Sequence, residues 1–174
     1  MAAGTPRRRS RPGTWIDWEN VDEGLFEFTK LVTKLRQDHP TFRRRRFFHG
    51  RPVRREAGAP VPDIAWLTPG GELMTEDDWD AAYAKSIAMY LNGHGIRSTD
   101  ERGEDVVDDH FYLAFNASHE PMDFTMPAEE YAGAWTVVVD TAELGAVEPA
   151  QLKPGETITV QDRSMVVLRA PRRS

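Results

Sequence analysis

The chain of 174 residues contains no cysteine. Disulfides, thiolate metal sites and cysteine nucleophiles are excluded together, and the composition fits a reducing, cytoplasmic setting. Nowhere is there a run approaching the roughly 18 apolar residues of a membrane span. The Arg-bearing N-terminus has no apolar stretch of signal-peptide length behind it. Neither a membrane partner nor a secretory leader is expected. The chain also lacks a Gly-x-Gly-x-x-Gly run after a strand, a P-loop and a Gly-x-Ser-x-Gly elbow, so no cofactor is expected. A (β/α)8 barrel needs about 250 residues, which this length cannot supply.

What is present begins with a charge gradient. The net charge of -6 conceals a basic leader and an acidic body: four Arg and no acid in residues 1–12, then 8 basic against 21 acidic residues in 57–174. Phosphate binding needs a concentrated positive surface, so nucleic acid is not expected as the partner of this body. Residues 1–13 are Arg, Pro, Ser and Gly with few apolar side chains, a composition that predicts disorder.

Apolar residues at Val21, Leu25, Phe28, Val32 and Leu35 fall at helical spacing, with Phe26 and Leu31 widening the stripe. Asn20 followed by Glu23 reads as a capping-box variant, and Pro40 predicts an end near residues 37–39. Beyond the helix the period changes to two. Strands are predicted over 44–48, 64–67, 87–91, 111–116, 122–126, 135–140, 156–160 and 165–169, separated by Gly- and Pro-rich turns. Thr75 with Asp78 marks a short helical turn, and residues 99–107 read as a surface loop. Short strands at this spacing predict an antiparallel β-sandwich. One helix with a wide apolar stripe ahead of a sandwich is unbalanced, as if the helix had lost its partner.

Several groups invite a chemical reading. Glu76, Asp77, Asp78 and Asp80 could be paired carboxylates, but acids in a first helical turn complement the helix dipole. Asp108, Asp109 and His110, with His94 and His119 elsewhere, contain the residue types of a two-His, one-carboxylate site, yet no spacing enforces it and no metal is expected. Arg43–Arg46 followed by Phe47 and Phe48 has the composition of a polyanion patch, which a strand would split between two faces. Asn116-Ala117-Ser118 matches a glycosylation acceptor and carries no meaning without secretion. Among Trp15, Trp18, Trp66, Trp79 and Trp135, an exposed ring could stack on a sugar, although core packing is the commoner use.

A family resemblance rests on successive motifs in order. They are Arg43 through Pro52, Asp63 through Trp79, Ser86 through Gly93, Asp108-Asp109-His110-Phe111, Phe115 through Pro121, Trp135 through Thr141, and Ser164 through Arg169. Together these resemble the C-terminal part of bacterial glycogen debranching enzymes of the isoamylase group, in the α-amylase superfamily of glycoside hydrolases. The resemblance covers residues 14–170 and implies a mainly β fold. One N-terminal helix, the last of a missing (β/α)8 barrel, would precede an antiparallel β-sandwich. Residues 1–13 would be a disordered segment, 14–42 the barrel remnant and 43–174 the sandwich domain.

Enzymes of this kind hydrolyse α-1,6 branch linkages with two acidic side chains at barrel strand ends. No position here matches those motifs, so the catalytic carry-over is empty and the chain alone is expected to be inactive. Trp15, Asp17 and Trp18 lie nearest the family's active-site loops and are the residues expected to touch substrate. The Arg/Pro-rich run before Trp15 departs from the family pattern and suggests a truncated or frame-shifted reading frame. The partner implied is α-glucan, glycogen or limit dextrin, through the parent enzyme, and the uncovered helix stripe is expected to self-associate. The alternative is a stand-alone, non-catalytic α-glucan-binding module.

Overall fold

A computed structural model describes residues 20–53, 60–81, 85–143 and 150–172. The first element, α1 (Glu23–Asp38), is capped by Asp22, whose carboxylate accepts from the Leu25 amide at 3.0 Å. The predicted cap at Asn20 is thus displaced by two residues, because Asp22 is the acceptor within reach of the third helical N–H. The helix ends at His39, just ahead of Pro40 as expected, and a 3-10 turn (Pro40–Arg43) follows.

Strands β1 (Pro52–Val53) and β2 (Val61–Pro62) form a short antiparallel pair. The main sheet is built from β3 (Ile64–Leu67), β4 (Ser86–Leu91), β5 (His110–Asn116), β7 (Trp135–Asp140), β8 (Gln151–Leu152) and β10 (Ser164–Ala170). Its order is β3-β4-β5-β10-β7-β8, and every neighbouring pair is antiparallel. A separate ribbon pairs β6 (Met122–Thr125) with β9 (Thr157–Val160). Between β3 and β4 lies α2 (Glu76–Asp80).

Alternation along the strands sends side chains to two cores. On one face Ala88, Tyr90, Tyr112, Val166 and Leu168 bury Trp135 together with Phe124 and Val160 of the ribbon. On the other, Leu91, Phe111, Leu113, Val139 and Val167 receive Phe28, Leu31 and Leu35 of α1 and Phe42 of the turn. The predicted class therefore holds: mainly β, with one leading helix and antiparallel sheets. The layer facing the six-stranded sheet is a two-stranded ribbon, smaller than a full second sheet.

The strand predicted over 44–48 does not form. Arg44 turns inward instead, and the amides of His49 and Gly50 donate to the fully buried carboxylate of Asp63 at 3.0 and 2.8 Å. Those two donors, just past the predicted segment, are satisfied by a side chain. The two-residue strands β1, β2 and β8 are too short to show a period.

Candidate functional site

Trp15, Asp17 and Trp18, the residues expected to touch substrate, lie outside the described residues. The remaining candidates fall into a buried polar seam, a set of surface acids and an aromatic pair.

The seam joins the end of α1 to the sheet. His39 Nδ1–H donates to Asp108 Oδ1 at 2.7 Å, and the Thr41 amide donates to Asp108 Oδ2 at 2.9 Å. A carboxylate can only accept, so the His39 proton sits on Nδ1. The Asp109 amide takes Asp108 Oδ1 as well, at 2.8 Å. Asp109 in turn accepts from the Arg172 amide at 3.1 Å and lies 3.6 Å from Arg169 Nε. Among the described residues, His39, Asp108 and Asp109 are the one group whose ligand-type atoms lie within 4.8 Å of one another. Both Asp108 oxygens and Asp109 Oδ1 are already met by protein N–H donors, so the geometry is that of a latch between helix and sheet.

The other histidines weighed with Asp108 lie apart from it or face other partners. His110 Nδ1 accepts from the Gly93 amide at 3.2 Å and meets the Tyr90 hydroxyl at 3.2 Å. His94 stacks near it, with ring centroids 5.3 Å apart. His119 is exposed, 3.8 Å from Glu120. It is His39, distant in sequence, that meets Asp108. No local spacing could have signalled that contact.

Arg44 is likewise drawn out of the predicted basic patch. Its guanidinium lies 3.7 Å above the Phe48 ring and 3.6 Å from Asp63, while Arg43, Arg45 and Arg46 stay exposed. Burial pulls the Arg44 pKa below its usual value, and the Asp63 charge opposes that shift. Only a split set of surface cations is left.

Asn116, the first residue of the Asn116-Ala117-Ser118 triplet, is a pin between sheet and ribbon. Buried in the sheet, its Nδ2 donates to the carbonyls of Glu120, Val160 and Gln161, and its Oδ1 accepts from the Ser118 amide at 2.9 Å. Sheet and ribbon are tied through one amide. A polar residue closing a seven-residue apolar strand was the available signal.

The surface acids behave as helix-start residues. Thr75 and Asp78 form a reciprocal capping box at α2, with Thr75 N–H donating to Asp78 Oδ2 at 2.8 Å. Hydrogen bonds from the Thr75 backbone and then its hydroxyl hold the Asp78 pKa below the ordinary carboxylate value. The aromatic pair is Trp66 and Trp79, half-exposed, with ring centroids 5.8 Å apart at 77°.

Comparison with known proteins places this fold. The family described as "Isoamylase, C-terminal" matches residues 63–169, which span the sheet from β3 to β10, and the chain belongs to that family. It is similar to a glycogen operon protein GlgX homologue of Mycobacterium tuberculosis, 44% identical over 158 residues, covering 90% of this chain and 22% of that protein. A glycogen debranching enzyme of Escherichia fergusonii is 23% identical over 118 residues, covering 68% of this chain and 14% of the relative. The chain thus spans under a quarter of the length of these relatives. Among solved structures, a pullulanase from Bacillus acidopullulyticus aligns with a TM-score of 0.47 at 14% identity, covering 84% of this chain and 14% of that one.

Proposed function

We propose that this chain is the C-terminal part of a glycogen debranching enzyme, supplying the last helix of a catalytic barrel and the β domain that packs beside it. The substrate of the whole enzyme is then glycogen or limit dextrin, and its reaction is hydrolysis of α-1,6 branch linkages in the cytoplasm. Family membership supports the reading, as does the small share of each relative's length that the chain spans.

One structural observation carries it further. The apolar stripe of α1 is covered along one flank only: Phe28, Leu31 and Leu35 pack on the sheet, while Val21, Leu25 and Val32 are exposed beside them. A helix apolar on two flanks is suited to lie between two bodies, here the β domain and a barrel. Alone, the chain has an open flank that favours self-association.

The paired carboxylates of glycoside hydrolysis would belong to the barrel. The purified chain should therefore release no reducing sugar from a branched glucan. Release by this chain, with contaminating amylase excluded, would overturn the inactivity. The DNA 5′ of the Met1 codon, read over the length that encodes a barrel of about 250 residues, should hold a barrel-coding frame. Unrelated DNA there would remove the debranching reading.

A further inference from the structure

Trp66 and Trp79 are the two exposed tryptophans among the described residues, at 38% and 52% exposure. Both are held by backbone. Trp66 sits on the edge strand β3 opposite Met89, and its carbonyl accepts the Met74 amide at 3.0 Å. The Trp79 amide donates to the Thr75 carbonyl at 3.2 Å within the capped α2. The turn between them is tied by Thr68 N–H to the Glu72 carbonyl at 2.8 Å. It is also seated on the ribbon, where the Thr125 amide donates to the Pro69 carbonyl at 2.8 Å. A Cβ on Gly71 would stand 2.8 Å from the Thr125 carbonyl oxygen, so the turn lies close against its support. The two indoles form a fixed platform, and little ordering entropy is lost when a ligand lands on it.

The rim of this platform selects the ligand. Residues 60–84 contain no Lys or Arg, and Glu72, Glu76, Asp77 and Asp80, on α2 and the turn that leads to it, are exposed. An acidic stretch without cations disfavours phosphate-bearing ligands. A molecule with apolar C–H faces for the indoles and hydroxyl donors for the carboxylates is complementary, which describes a neutral sugar chain. The rings meet at 77°, so they do not form one flat surface for a flat ribbon of sugars. Rings in edge-to-face contact present a stepped surface, which a chain that curves from one residue to the next, as an α-1,4-glucan does, can follow.

We propose that Trp66 and Trp79, with the carboxylates beside them, form an α-1,4-glucan-binding surface of this domain. The proposal rests on the reading that the enzyme's substrate is an α-glucan.

The test is titration of the 174-residue chain with maltoheptaose while following the indole N–H resonances. Trp66 and Trp79 should shift and the buried Trp135 should not, and cellohexaose should leave all three in place. Trp79→Ala, a change at an exposed ring, should weaken maltoheptaose binding about tenfold with unchanged circular dichroism. Shifts confined to Trp15 and Trp18 would overturn this surface while leaving α-glucan as the ligand. Absence of any shift would overturn the surface and leave the debranching reading to its own test in the upstream DNA. Shifts induced by polylysine but not by maltoheptaose would make the patch a site for a basic protein and overturn the proposal.

Discussion

His39 and Asp108, 69 positions apart in the chain, share a buried 2.7 Å hydrogen bond that fastens the end of α1 to the entrance of β5. Asp108 meets three donors in all, from His39, Thr41 and Asp109. Asp108→Ala strands them and should cost about 3 kcal/mol, read from the urea midpoint. His39→Ala leaves both amide donors in place and should cost less.

Asn116 gives a sharper contrast. Its amide donates to three carbonyls, so Asn116→Ala should cost about 3 kcal/mol. Asn116→Asp turns that donor into an acceptor facing the same carbonyls. It should unfold at a lower urea midpoint than the alanine variant at neutral pH.

Two glycines should respond differently to alanine. A Cβ on Gly93 would lie 2.0 Å from the Asp108 carbonyl oxygen, so backbone must move, and Gly93→Ala should cost at least about 3 kcal/mol or prevent folding. Gly155 has φ +81 and nothing within 4 Å of a Cβ. Gly155→Ala should lose only about 1 kcal/mol through backbone strain. Thermal melts of the two variants check the order.

Asp78 supplies a pH dependence of known sign. Its pKa is lowered in the folded chain by hydrogen bonds from Thr75. The contribution is therefore fully present above the unfolded value, about 4, and is lost as pH falls through the lowered folded value. Carboxyl carbon shifts should titrate below the ordinary Asp midpoint. Thr75→Ala should move that midpoint up.

The open flank of α1 predicts behaviour in solution. The chain should bind a hydrophobic dye and scatter light above the monomer value. Replacing exposed Leu25 and Val32 together with Gln should reduce both signals without lowering the melting temperature. A dye-free monomer at the outset would mean that the flank is covered.

The seven strands of four or more residues were legible as short apolar and β-branched runs between turn residues: β7 alternates buried and half-buried positions, whereas β5 is buried on both faces. The α1 stripe and the Thr75–Asp78 box were legible locally as well. The failed strand at 44–48 shows the limit. Three arginines followed by Phe47 and Phe48 carry no period of two, and the buried Asp63 carboxylate draws in Arg44 and the amides of His49 and Gly50 just beyond. Asp108, for which no local spacing named a partner, meets His39.

Periodicity, capping and composition depend on neighbours a few residues apart, so the mainly β class and the leading helix are written in local order. Which strands adjoin, which flank of α1 the sheet covers and which charges meet in the buried seam were decided only by tertiary structure. Those contacts join residues tens of positions apart, and buried donors must pair with whatever acceptor folding brings within reach.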